Sequence, residues 1–455
     1  MNPETDGADP AASTSLDRVL NRFDIVSLSV GAMIGWGWVV LAGTWIAGAG
    51  PLGAVIAFLV GGTIVGLIGL TYAELVAAMP YAGGEHVFVD RAFGPDAAFL
   101  ATWAIVLGYV SVVAFEAIAL PVALVYLFPG LQQIPLWQVA GYQVHLTEVL
   151  IGSGAAILIS LLNIAGIKAA SRAQGIVVLF VFVAGLLLIA GGVTYDGPRD
   201  PAVLTDWGGI VGVIIMVPFL FVGFDVIPQS AEEINLPQKK IGGVLILSVV
   251  IATLFYMGIA FGVGVAPLQE DAELATAAAA TTLWGSAWFG NFIVLAGVAG
   301  ILTSWNAFLI GGSRALFALA RARQIPSFLA AVHPRFGTPH TAIVFIAAIS
   351  VLAPLLGRQA LVWIVDAGGL AIVVAYAFVA ASFLKLRRSA PEMERPYKTP
   401  AGTLVGWLAL IFSLGLTGLY LPISPSGLIW PHEWLIVLGW AALGVVVFIL
   451  GRRNR

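Results

Sequence analysis

The chain has no cysteine and little charge: among 455 residues none is Cys, 10% are Asp, Glu, Lys or Arg, and five are His. The missing cysteine excludes disulfides, thiolate metal sites and a cysteine nucleophile. The scarcity of charge, beside an apolar content of 60%, excludes an ordinary water-soluble domain. The histidines His86, His145, His333, His340 and His432 fall in or beside polar connections, and no HExxH or Ser/His/Asp grouping occurs. An integral-membrane enzyme would therefore lack the acid–base or metal constellation it needs, and no metal or cofactor is expected. The net charge is −3 and the basic residues sit at the ends of apolar runs rather than in a patch, so no nucleic-acid partner is expected. Residues 1–20 are acidic, small and polar without an apolar core. No cleaved signal peptide is expected there, and 1–22 reads as a disordered arm on the cytoplasmic side.

What is present is apolar length. A helix needs roughly 20 apolar residues to cross about 30 Å of hydrocarbon. Twelve stretches qualify, near 25–48, 52–78, 97–128, 147–165, 173–194, 208–230, 241–266, 288–320, 339–357, 359–385, 402–421 and 432–451. Runs such as Ile176 to Gly192 are apolar on every face, not alternating as barrel strands would be, so the fold class is all-α integral membrane with 12 spans. Orientation follows from the cations, because short basic loops stay cytoplasmic. With the N-terminus inside, all but Arg199 and Arg358 of the 21 lysines and arginines fall inside. Both termini are then cytoplasmic in the inner (plasma) membrane, and 80–95, 323–338 and 386–401 become cytoplasmic connections. Residues 85–93 read as a short amphipathic helix at the membrane surface.

Two spans are interrupted. Helix 1 carries Gly31-Ala32-Met33-Ile34-Gly35-Trp36-Gly37-Trp38, and helix 6, five spans on, carries Pro218 through Gly223 and Asp225 to Pro228. Proline lacks an N–H and glycine holds helix poorly, so both helices should unwind there. Freed backbone groups are tolerated at membrane depth only beside protein or a wet cavity. Broken spans at matched positions of two halves point to a carrier built from inverted repeats, although either break alone could serve packing. The repeats are then 23–195 and 208–386, with 387–455 an appendage. Two acids are singled out within the apolar spans, Glu116 in the interior of helix 3 and Asp225 just beyond the helix 6 break. Burial there is costly, so each is a candidate for a coupling proton or a substrate ammonium; Asp225 could instead tether the unwound segment.

Four separated segments resemble the amino acid–polyamine–organocation permease family, in a leucine-transporter-like fold. Helix 1 resembles its G-x-M-I-G-x-G block, and Tyr72-Ala73-Glu74-Leu75, Pro80 to Glu85 and Ala92-Phe93-Gly94 resemble its YAEL, P-x-x-GG-E and AFG elements. Gly223-Phe224-Asp225 with Ala231-Glu232-Glu233, and Ser313 to Arg321 with His333 to Pro339, complete the match over roughly 24–400. The resemblance implies a 5+5 inverted repeat and alternating-access transport of amino acids, by proton-coupled symport or exchange. It implies that amides around Ile34, Gly35, Trp36 and Gly37 take a carboxylate. The carbonyls of Phe219 and Val222, with that of Met33 or Ile34, would take an amine. Phe219 would be an aromatic lid, and Phe221, Gly223, Asn306 and Phe308 would adjoin the cavity. Trp36 and Trp38 replace a smaller residue and an aliphatic of the family pattern, which shrinks the carboxylate end. An indole face attracts ammonium by roughly 0.5–2 kcal/mol, so an organic amine or polyamine is the alternative substrate. Thr303 and Ser304 match the hydroxyl pair of sodium-driven relatives, while Ile176 to Val183 lacks the mid-helix 5 lysine of some proton-coupled ones. Glu74, Glu85, Glu232, Glu233 and Arg314 would form an inner gate or hold loops. The expected partners are a small-molecule substrate, membrane lipid and a proton or sodium gradient. A nutrient sensor would share every one of these motifs.

Overall fold

The computed structural model describes residues 16, 18–198, 207–267, 274–424 and 427–453, and for 167–173 and 452–453 the backbone only. Most of the N-terminal arm (1–15 and 17), Arg199 and Arg455 lie outside the described residues, as do the side chains of Lys168, Arg172, Arg452 and Arg453. The elements, in order, are helices α1 (Arg22–Met33), α2 (Gly37–Val40), α3 (Ala42–Ala78), α4 (Glu85–Phe93) and α5 (Pro95–Leu127), then a hairpin of β1 (Pro135–Val139) and β2 (Tyr142–His145). There follow α6 (Leu146–Ile164), α7 (Ile167–Thr194), α8 (Trp207–Phe221), α9 (Val226–Gln229), α10 (Gln238–Val265) and α11 (Ala275–Trp284). The last five are α12 (Ala287–Arg321), α13 (His340–Leu352), α14 (Ala360–Ser389), α15 (Gly402–Leu419) and α16 (His432–Arg453).

Among the described residues eleven segments are long and apolar enough to cross a membrane, so this is an all-α, multi-span membrane protein. The expected ninth span is shorter: α13 ends at Leu352 and a 3-10 turn, Ala353–Leu356, continues it. Pro354 cannot donate to the preceding turn, and Gly357 at φ 69° closes the segment. The boundary expected between the first two spans is a bend, not a loop. Gly50, at φ 72° and ψ 167°, leaves the helical region inside α3, and Pro51 opens the next stretch.

Local chemistry sets the entry to the first span. The Asn21 side chain accepts from the amides of Phe23 and Asp24, while the Asp24 carboxylate accepts from the Asn21 amide, satisfying donors the helix start would leave bare. The innermost elements are α12, buried continuously from Thr303 to Ala320, and α5, buried from Ile105 to Pro121. Around them α3 packs along α10 and α8, and α14 along α5. Helices α6, α15 and α16 turn apolar faces outward, as lipid-facing spans do.

The 85–93 segment is helical as expected, but α4 is not a free surface helix. Glu85, His86, Phe88, Val89 and Ala92 are buried as it packs on α5 and α14. The hairpin and α11 fall in connections where no element was expected. They sit beyond the helix ends, and Trp137 of β1 fastens to the Leu355 carbonyl with an indole hydrogen bond of 3.0 Å.

Candidate functional site

Both interrupted spans are broken where glycine and proline cluster. Ile34, at φ −105° and ψ 68°, ends α1, and helix resumes only at Gly37. Among the described residues the amides of Gly35, Trp36 and Gly37 find no acceptor, whereas the Ile34 amide still donates to Val30 O at 2.9 Å. The freed Met33 carbonyl accepts the Tyr256 hydroxyl of α10 at 2.7 Å. In the sixth span, α8 ends at Phe221 and Gly223 turns to φ 129°, a conformation that costs residues with a Cβ. Its amide donates to Asp225 Oδ1 (2.7 Å) instead of back to the Phe219 carbonyl. Among the described residues Phe219 O and Val222 O are left with no backbone donor. Asp225 Oδ2 accepts the Tyr109 hydroxyl of α5 at 2.8 Å. Asp225, fully buried, thus ties the unwound segment to α5 with both oxygens used.

Between the breaks lies a small cavity lined by Ala32, Met33, Gly35, Trp36 and Gly37 of the first span, Val112, Phe115 and Glu116 of α5, and Phe219, Leu220 and Val222 of the sixth, with Tyr256, Ser304 and Phe308. Its volume is about 30 Å³, close to the share of one water molecule in the liquid. Glu116 supplies the one carboxyl in this lining. Its Oε1 accepts the Ser304 hydroxyl, and its Oε2 is buried without a partner among the described residues. A Cβ on Gly35 would stand 2.9 Å from Glu116 Oε1 and 2.8 Å from Ser304 Oγ, so the carboxyl rests directly against the break. Phe219 meets Phe115 edge to face at 6.1 Å, forming an aromatic wall.

The structure therefore brings together Met33, Gly35, Trp36, Gly37, Glu116, Phe219, Val222, Phe308 and Ser304. It places Ile34, Trp38, Phe221, Gly223, Asp225 and Thr303 outside the lining. Trp38 is packed edge to face on Phe255 at 5.7 Å, and Phe221 against Tyr256 at 5.4 Å. The Thr303 hydroxyl bonds the Gly300 carbonyl one turn back, at 2.9 Å. Asn306 does not face the cavity. Its amide donates to Gln174 Oε1 and its oxygen accepts from Asn163, both at 2.8 Å, while Gln174 donates to Thr303 O at 2.9 Å. This buried amide chain joins α6, α7 and α12. It was not legible in the sequence because Gln174 stands at the polar edge of the fifth span, just before the apolar run Ile176 to Val183. Tyr256 and Phe115 were missed too; the one polar-tipped ring in mid-α10 was the available signal for the former.

The acids of the family motifs hold loops. Glu233 makes a two-pronged pair with Arg314 of α12 (2.8 and 3.0 Å), and its carbonyl accepts the Val19 and Leu20 amides, each at 2.9 Å. Glu232 pairs with Arg321 at 2.7 Å, and Glu74 pairs with Arg387 at 2.5 Å and Arg395 at 3.1 Å. Buried Glu85 accepts from Gln229 of α9, and burial beside Asp225 pushes its carboxyl well above the usual range.

Comparison with known proteins agrees with this architecture. The chain is 29% identical to the branched-chain amino acid permease BcaP of Bacillus subtilis (strain 168), over 97% of this chain and 94% of that one. It is 28% identical to the methylthioribose transporter of the same organism (97% and 95%) and 26% identical to its aspartate-proton symporter (88% and 78%). The sequence profile described as amino acid permease matches residues 20–448, so this multi-pass membrane chain belongs to the amino acid permease family, transporters and not enzymes.

Proposed function

We propose that the protein carries a small neutral amino acid with an apolar side chain by alternating access, and that Glu116 is the residue on which coupling turns. The reading takes 23–195 and 208–386 as inverted repeats, 387–455 as an appendage, and both termini as cytoplasmic. It rests on one observation: the Glu116 carboxyl lies against Gly35 at the first break, with Oε2 unpartnered among the described residues, inside a cavity whose other side chains, Ser304 apart, are aliphatic or aromatic. Unbonded amides at Gly35 to Gly37 suit a carboxylate, and the bare Phe219 and Val222 carbonyls suit an ammonium. Val112, Phe115, Leu220 and Phe308 leave apolar contact for the side chain.

Proton coupling is favoured over sodium because the lining holds a buried carboxyl with one unpartnered oxygen, a group that can take up and release a proton. The test is radiolabelled uptake into proteoliposomes with pH and sodium gradients imposed separately. Accumulation of leucine, isoleucine or valine driven by inward protons supports the proposal. Uptake driven only by sodium, or no flux at all, defeats it, the latter in favour of a sensor.

A second reading, an organic amine carrier, has Trp36 and Glu116 in one lining as its support. A thermal-shift screen separates the two: stabilisation by free amines and not by amino acids selects the amine carrier.

A further inference from the structure

At the end of the bundle where Glu74 pairs with Arg387 and Arg395, a second cavity of about 380 Å³ opens between α14 and α15. Its walls include Phe93, Leu384, Lys385, Arg388, Trp407 and Leu410, and no carboxylate. The cations around this cavity differ in their partners. Arg387 and Arg395 are committed to Glu74, whereas Lys385 and Arg388 have no acidic partner among the described residues. Each of those two is held over an aromatic ring instead. Lys385 Nζ sits 4.4 Å from the Phe93 centroid, and the Arg388 guanidinium 5.9 Å from that of Trp407. Two exposed cations are thus held by apolar surface at the mouth of a cavity, with no hydrogen-bond acceptor among the described residues.

The cavity continues into an apolar stripe. Leu404, Trp407, Ile411 and Leu414 follow one another at helical spacing along α15, and all four are exposed. A soluble anion would use the cations and ignore the stripe, whereas a phospholipid uses both.

We propose that this cavity binds the head group of an anionic phospholipid. Lys385 and Arg388 take the phosphate oxygens, Leu404 lies beside the head group, Trp407 lies at the level of the ester linkages, and an acyl chain runs along Ile411 and Leu414. The inference is independent of the transported solute and of the role of Glu116.

The test uses the full-length protein, delipidated in mild detergent, with lipid adducts counted by native mass spectrometry as phosphatidylglycerol or phosphatidylcholine is added. The wild type retains one phosphatidylglycerol roughly tenfold more strongly than phosphatidylcholine. The double variant Lys385→Gln/Arg388→Gln loses that adduct. Lys239→Gln/Lys240→Gln, with the same charge change at the start of α10, keeps it. The exchange Lys385→Arg/Arg388→Lys also keeps it, which separates loss of a site from loss of fold. Equal phosphatidylglycerol retention by Lys385→Gln/Arg388→Gln overturns the proposal, as does equal loss in the Lys239/Lys240 control. Displacement of the lipid by millimolar inorganic phosphate would also overturn it, marking a site for a free anion.

Discussion

At the scale of single residues, Glu116 and His86 show how burial sets chemistry. Glu116→Gln keeps a group that can accept from Ser304 but cannot change charge. It should therefore fold normally yet lose uptake driven by a proton gradient, while exchange of substrate across the membrane without a gradient survives. Proteoliposome flux with and without imposed ΔpH reads the difference, and unchanged ΔpH-driven uptake would remove Glu116 from coupling. His86 is a different case. Burial in α4 holds its imidazole down at about 4, against 6.5 for a free side chain. Thr102 already donates to the Ala98 carbonyl, so its hydroxyl oxygen receives the His86 Nδ1–H at 3.3 Å. The folded state keeps this ring neutral while the unfolded chain takes up a proton below 6.5. Stability is present above that pH and is lost as pH falls from 6.5 to about 4, a loss of about 3 kcal/mol. Glu85 contributes the opposite slope, because its raised carboxyl holds a proton that the unfolded chain releases. The difference in melting midpoint between wild type and His86→Asn across pH 4–7 cancels the Glu85 contribution. A difference that does not change with pH would refute the assignment.

At the scale of elements, the two breaks are held open by different means. The first is wedged: a Cβ on Gly300 of α12 would lie 2.6 Å from the Gly35 carbonyl oxygen, a backbone atom with nowhere to go. Gly300→Ala should cost about 1–3 kcal/mol in stability and abolish uptake; a normal melting curve with normal flux would show that the break tolerates displacement. The loop after the sixth span is clamped by Arg314 and Glu233, both buried. Arg314→Ala strands a buried carboxylate and should destabilise the protein by about 3–5 kcal/mol, whereas Arg314→Met combined with Glu233→Leu should recover most of that loss. Chemical denaturation of both variants decides, and equal damage in the two would mean that packing, not charge, holds the loop. The positions of the breaks were legible because glycine and proline act on their own backbone, within a few residues of where they stand. The amide chain through Asn163, Asn306 and Gln174 was not legible, since its partners are 132 and 143 residues apart in sequence. Asp225 falls between these cases. Its burial could be read from the apolar run around it, but Tyr109 as its partner could not.

At the scale of the whole molecule, apolar length was the readable quantity, and it placed the long helices within a few residues of where they run. It failed where segments are short or lie outside the spans. The hairpin and α11 carry too little apolar sequence to announce themselves, and the bend at Gly50 hides a boundary inside one helix. The contacts sort the connections into two ends. Glu233 meets the segment before α1, Glu85 meets Gln229, and Glu74 meets Arg387 and Arg395, so these connections share one end. The hairpin, fastened to Leu355 near Arg358, lies with the other set. If short basic loops remain cytoplasmic, the first end faces the cytoplasm and the hairpin faces out. The absence of cysteine makes this testable without background, because any single introduced cysteine is the only thiol in the chain. Exposed Lys240, at the start of α10, and exposed Gln133, just before the hairpin, are suitable positions. In intact cells a membrane-impermeant maleimide should label Gln133→Cys and spare Lys240→Cys, and after lysis it should label both. The reverse pattern would invert the orientation of every span at once, because the connections at each end are bonded to one another and cannot be reassigned singly.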